Sequence, residues 1–174
     1  MLSVTRVREV LSLNFDTGDL IWLTRPVRIG HERADRSWNA KCAGKIAGSV
    51  FMDGYRHVKI DRKLYVAHRV VWVLAHGKWP DGDIDHIDGA RDDNRPHLLR
   101  DATTRQNIQN QKVRRDNRSG LKGVSWNIPM KKWWARITIC GNRTPLGYFD
   151  TPEEAHAAYF EAARKHFGEF ARLD

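Results

Sequence analysis

An aspartate followed by a histidine, Asp85-His86, and an asparagine further along, Asn107, bring together side-chain types suited to metal-assisted phosphodiester hydrolysis. That reaction needs an activated water, neutralisation of charge developing on the phosphate, and help for the departing 3′ oxygen. A histidine that titrates near neutrality can take the proton from water. A hard divalent cation, held through oxygen ligands, can bind the phosphate and the leaving oxygen. Asp85 offers a carboxylate for it and Asn107 an amide oxygen. Neighbours in a strand point to opposite faces, so Asp85 and His86 converge only if the strand ends at His86 and twists into the loop that follows. Taken alone, such a set is more often a surface Asp-His pair and a helix-start Asn.

The elements that must position these residues can be read from pattern. Residues 4–13 alternate loosely, as a short helix or strand. Asp16 to Gly18 reads as a turn before a strand, and 24–47 as polar and irregular. From 48 to 66 two hairpin turns are expected, one at Asp53-Gly54 and one at Asp61-Arg-Lys. Val66, Val70, Val73 and Leu74 recur at helical spacing, and Gly77 is a natural stop. Asp83 to Ile87 reads as a short strand, Asp88 to Pro96 as a polar loop, and 98–102 as a second strand. Thr103-Thr-Arg-Gln106 has the form of a capping box opening the helix that carries Asn107.

In this setting Tyr65-Val-Ala-His68-Arg69, Trp79-Pro80, Ile84-Asp85-His86-Ile-Asp88-Gly89, Asp93-Asn94-Arg95, Leu99-Arg100 and Gln106-Asn107-Ile-Gln-Asn110 fall at a spacing that resembles the HNH endonucleases of the phage homing type. The likeness covers residues 48–111. It implies a ββα-metal fold, two short strands and a helix clasping one divalent cation. It implies His86 as general base and Asp85 and Asn107 as ligands of magnesium, with manganese able to substitute. Asn94 resembles the family's loop-bracing Asn, and His68 reads as a hydrogen-bonded structural His beside the core. His57, His76, His156 and His166 receive no role. The family pattern usually has an Asn before the Leu-Arg pair, where this chain has Leu98; His97 or Asn94 could substitute for it. If neither does, the active site is loosened, or the chain is a catalytically inactive, sequence-specific DNA-binding protein.

The net charge is +9, and its distribution is lopsided. Between 112 and 143 stand Lys112, Arg114, Arg115, Arg118, Lys122, Lys131, Lys132, Arg136 and Arg143 against one acid, Asp116, with Trp126, Trp133 and Trp134 interleaved. That mix suits a surface that tracks a phosphate backbone. Three strand-like runs near 121–126, 133–139 and 143–149 precede a helix that Thr151-Pro-Glu-Glu154 should cap and Gly168 should stop. Alternation in the middle strand sets Trp133, Ala135, Ile137 and Ile139 toward that helix and Trp134, Arg136 and Thr138 outward. The run from Ser119-Gly-Leu-Lys-Gly-Val through Leu146-Gly-Tyr-Phe-Asp-Thr-Pro-Glu-Glu-Ala to Gly168-Glu-Phe-Ala-Arg-Leu resembles the APETALA2 (ethylene-response-factor) type of DNA-binding domain. The resemblance implies a three-stranded sheet laid in the major groove. It points to Lys122, Trp126, Lys131, Lys132, Trp134, Arg136, Thr138 and Arg143 as DNA contacts. Ser125 and Thr138 stand where that family often has Arg.

The resulting expectation is an α+β chain: a ββα-metal core with N-terminal strands and a helix, then a small three-stranded antiparallel sheet packed on one helix. The boundaries expected are an N-terminal strand and loop region 1–47, a nuclease core 48–111, a basic linker 112–118 and a DNA-binding domain 119–174. The partner expected is double-stranded DNA, with no membrane and no protein partner. No apolar run approaches the ~20 residues a bilayer span needs, and charges near Met1 argue against an export signal, so the expected compartment is a bacterial or phage-infected cytoplasm. Cys42 and Cys140 lack a Cys-x-x-Cys partner, which argues against a zinc ribbon; each reads as a small buried residue.

Overall fold

A computed structural model describes residues 2–111, 113 and 117–171. Of the linker expected at 112–118, residues 112 and 114–116 lie outside the described residues. The chain divides into two compact units, Met1–Thr103 and Thr104–Asp174. It is α+β, built from small antiparallel sheets, as its patterning requires.

In the first unit, helix α1 (Val4–Val10) starts on Ser3, whose hydroxyl accepts from the Arg6 N–H at 3.1 Å. It runs straight into β1 (Leu11–Leu13), which pairs with β2 (Leu20–Trp22) across a turn at Gly18. The loosely alternating stretch is thus a helix over its first seven residues and a strand over its last three. Strands β3 (Ser49–Val50), β4 (Arg56–Ile60) and β5 (Lys63–Val66) form an antiparallel sheet, joined by the two expected turns. Asp61 and Arg62 both adopt positive φ, 46° and 68°, as the second turn demands. Helix α3 (Ala67–His76) follows and ends at Gly77, whose φ of 73° is left-handed. Val7, Val10, Leu11 and Leu20 share one buried core with Val58, Ile60, Val70, Val71 and Val73, and with Ile84 and Leu99 from the next two strands.

The irregular stretch expected at 24–47 is corrected by helix α2 (Glu32–Cys42). This helix is strongly polar, with only Ala34, Trp38 and Cys42 as a thin apolar row, so its periodicity is easy to miss. Its buried residue is Asp35, which takes Nε and Nη2 of Arg28 at 3.0 and 2.8 Å and the Arg28 backbone N–H at 3.0 Å. Trp38 packs edge-on to Trp22 and lies under the Arg25 guanidinium.

Strand β6 (Asp83–His86) pairs antiparallel with β7 (Leu99–Ala102). The Asp101 carboxylate accepts from the N–H groups of Asp81 and Gly82, both at 2.8 Å, and so fixes where β6 begins. Pro96–Leu98 is a 3-10 turn, so Leu98 precedes the strand expected to contain it.

The second unit opens with helix α4 (Thr104–Gln109). Strands β8 (Val124–Asn127), β9 (Lys132–Ile139) and β10 (Asn142–Phe149) then form one sheet in the order β10-β9-β8. Helix α5 (Pro152–Phe167) carries the full reciprocal capping box between Thr151 and Glu154. Ala155, Tyr159 and Ala163 pack on Val124, Ala135 and Ile137. Gly123 sits at φ 75°, its α-carbon against the Tyr159 ring. Cys140 is exposed, at φ 52° in the β9–β10 turn, and not buried as expected. Among the described residues no helix is long and apolar enough to cross a membrane.

Candidate nuclease site and candidate DNA-facing sheet

Strand β6 ends at His86, and its last three residues, Ile84, Asp85 and His86, are buried. The strand therefore delivers the histidine to the mouth of the loop that follows. That loop is closed by backbone bonds: Ile87 N–H donates to Leu98 C=O and Gly89 N–H to His86 C=O, both at 2.9 Å. Ion pairs hold its outside. Arg56 reaches Asp92 at 3.1 Å, and Arg95 binds Asp93 at 2.6 Å. Arg91 donates to the Asp53 carbonyl at 2.7 Å and lies over the Tyr55 ring.

Asn94 is buried inside the loop. Its Nδ2 donates to Asp92 C=O at 3.3 Å, which turns Oδ1 toward the His86 ring, 3.2 Å from Nε2. An amide oxygen can only accept. Nε2 of His86 therefore carries the proton, and Nδ1 keeps the lone pair that a base requires. Burial lowers the His86 pKa below its ordinary value, against the raising effects of the Asn94 bond and of the Asp88, Asp85 and Asp93 charges. The net lowering suits a ring that must be neutral to accept a proton near pH 7. Of the two substitutes for the Asn replaced by Leu98, Asn94 bonds the ring and His97 is exposed.

Asp85, next to His86, takes the Arg100 guanidinium on one oxygen, Nε at 2.8 Å and Nη2 at 2.7 Å. The pair follows from register, since Asp85 stands opposite Arg100 on β7. His68, on the first turn of α3, packs edge-on to His86 with ring centroids 5.1 Å apart. Burial, then the charge of His86, pushes His68 down to about 3, so it stays a neutral packing partner, its buried Nδ1 without a hydrogen bond among the described residues rather than hydrogen-bonded as expected. Tyr55 closes the cluster, 5.3 Å from His68 and 5.9 Å from His86. Neither Tyr55 nor Arg100 stands out in sequence as a site residue. The Leu99-Arg100 pair was a signal for the second, and nothing local marks the first. Asn107 lies half-buried on α4, in the second unit. Among the described residues no three His, Cys, Asp or Glu side chains gather as a metal cage.

In the second unit, register sorts the other candidates by face. Lys132, Trp134, Arg136 and Thr138 share the face of β9 turned from α5, and Arg143, opposite Thr138 on β10, joins them. Tyr148, opposite Trp134, stacks on it at 6.0 Å, and the Arg136 guanidinium lies 4.8 Å from the Trp134 ring centre. Tyr148 was missed because the bulge between Pro145 and Gly147 breaks the alternation of β10. Lys131 is exposed in the β8–β9 turn. Lys132 pairs with Asp150 at 3.0 Å. Two candidates go elsewhere. Trp126 stands opposite Trp133, on the helix side of the sheet. The Lys122 ammonium donates to the carbonyls of Gln109 and Gln111.

Comparison with known proteins finds an HNH endonuclease family model matching residues 65–109. Protein 3.8 of Escherichia phage T7 is 36% identical over 107 residues, which is 61% of this chain and 88% of that protein. No solved structure matches.

Proposed function

We propose, for a chain that belongs to the family of phage T7 protein 3.8 and carries an HNH endonuclease domain at residues 65–109, that it hydrolyses phosphodiester bonds of double-stranded DNA in the manner of a homing endonuclease. The observation that carries this is the His86–Asn94 bond at the end of β6, inside the matched segment. It fixes one tautomer and one orientation of a neutral imidazole.

In this reading His86 Nδ1 takes a proton from water as the water oxygen attacks phosphorus. The P–O3′ bond then breaks, leaving a 5′ phosphate and a 3′ hydroxyl. Asn94 holds the ring through the step, and Tyr55 and His68 wall it from bulk solvent. The donor chemistry suits a hard cation such as magnesium, for which Asp85 would supply a carboxylate oxygen and Asn107 an amide oxygen. Arg100 sets the direction of the Asp85 carboxylate. When bound, the metal neutralises charge on the scissile phosphate and the leaving oxygen.

The second unit would direct the cut. A three-stranded sheet backed by one helix is the architecture of the APETALA2-type domain, and its open face carries Lys132, Trp134, Arg136, Thr138 and Arg143, with Lys131 in the adjoining turn.

The test is supercoiled plasmid incubated with the protein and magnesium. Nicked or linear product is expected, and His86→Ala should reduce its rate roughly 100-fold or more, the usual scale for losing a general base, with DNA binding kept. Leu98 in place of the family Asn motivates a rival, a DNA-binding protein without cleavage. DNA binding with no cleavage in magnesium or manganese would establish that rival.

A further inference from the structure

A cavity of about 740 Å³ in the first unit shares no residue with the β6–β7 loop. It is lined by α1, the chain after β2 and the β4–β5 turn. Five of its lining residues are cationic, Arg6, Arg25, Arg28, Lys59 and Arg62, and two are acidic, Glu9 and Asp61. The acids are spent on one cation: Arg6 holds Asp61 and Glu9, each at 3.0 Å. Arg28 is taken by Asp35. Among the described residues Arg25, Lys59 and Arg62 have no carboxylate partner.

Two of these three are held at a cost. The Arg25 guanidinium lies over the Trp38 ring, 3.4 Å from its centre, with its Nε buried and no hydrogen-bond partner among the described residues. Arg62 occupies a hairpin position at φ 68° where Asn or Gly is the unstrained choice. A turn alone gives no reason for an arginine there.

We propose that this cavity is an anion site that takes backbone phosphates of duplex DNA. The planar fork of an arginine matches two oxygens of a phosphodiester, and Lys59 adds a point charge. A cavity of this size with three unspent cations exceeds what one free phosphate would fill or neutralise. The proposal rests on the reading of the chain as a DNA-binding nuclease.

The experiment uses the full chain with His86→Ala, so that DNA stays intact, and measures duplex affinity by fluorescence anisotropy across a salt series. The pair Lys59→Gln and Arg62→Asn is added to that parent. Asn suits the left-handed turn and Lys59 is exposed on β4, so both changes should fold. Each lost phosphate contact makes the slope of log affinity against log salt shallower by about one, so a change of about two is expected. Arg62→Lys should restore about half of it. An unchanged slope in a variant that still binds DNA overturns the pocket and leaves the nuclease reading standing. If the parent binds no DNA while the wild-type chain still cuts plasmid, the pocket is likewise overturned. ATP supplies the other arm. ATP binding that the variants abolish, with DNA binding they leave alone, would assign the cavity to free nucleotides and overturn the DNA proposal.

Discussion

Replacing Asn94 by Asp changes one atom type at the His86 ring and should move the whole pH profile of cleavage. The carboxylate is isosteric with the amide and still accepts from Nε2–H, so the tautomer and ring orientation are kept. What changes is the stability of the protonated ring. At the 3.2 Å separation of the present bond, an imidazolium and a carboxylate attract by about 5 kcal/mol at an effective dielectric constant of ~20. The neutral ring would already donate to that carboxylate, a charge-assisted bond of about 1.5–3 kcal/mol. The wild-type amide already favours the charged ring by about 1–1.5 kcal/mol, so of this difference of about 2–3.5 kcal/mol the substitution adds about 1–2 kcal/mol, which raises the His86 pKa by about one pH unit.

The sign follows from the role. His86 is active when neutral, so cleavage falls as pH drops through its pKa. In the wild-type chain burial holds that pKa below the ordinary value, and the acid limb should lie below pH ~6.5. In Asn94→Asp the limb should move upward by about one pH unit. At one unit below its new midpoint the variant should be about tenfold slower than its own plateau, and it should recover as pH rises. Burying a carboxylate at a site only 3% exposed should also lower the melting temperature. The assay is initial nicking rate on supercoiled plasmid from pH 5 to 9, with DNA affinity measured in parallel. A rate that falls equally at every pH would show that Asn94 does not act through the His86 ring. A limb displaced to lower pH would refute the base assignment itself.

Other expectations concern separate parts of the chain. Asp85→Ala and Asn107→Ala should each raise the magnesium concentration that gives half-maximal cleavage, and manganese should support the wild-type reaction; cleavage that persists in excess chelator would refute a metal role. Arg136→Ala should weaken binding to the true site more than to random duplex, by about 1–3 kcal/mol if the guanidinium reads a guanine edge, whereas Lys131→Asn, which suits its φ of 48°, should weaken both alike; an unchanged ratio for Arg136→Ala counts against base readout. Gly123→Ala should destabilise the second unit by roughly 2–4 kcal/mol, combining overpacking with a positive φ, because the new methyl would run into the Tyr159 ring; a melting temperature within a degree of wild type would show that the helix can retreat from the sheet.

Features whose cause is local could be read from sequence. The Thr151–Glu154 capping box and the stop at Gly77 each need only a few neighbouring residues, and both stand in the structure as read. The end of β6 was legible to within one residue: the strand read as 83–87 stops at His86, where the polar, glycine-containing loop begins. Helix α2 was hard to read because what it buries is a charge: an ion pair between Arg28 and Asp35 stands where a broader apolar stripe would normally announce a helix. Arg100 became a site residue through strand register, which places it opposite Asp85. Tyr55 came to the His86 ring from a different hairpin. Trp126 shows the same limit from the other side. Its composition fits a contact surface, but pairing with Trp133 turns it to the helix face. For this chain, then, sequence identified the groups that could do chemistry, while pairing across strands decided which side chains stand beside them. The substitutions that test the mechanism most sharply are accordingly at Asn94 and Arg100, the partners of His86 and Asp85.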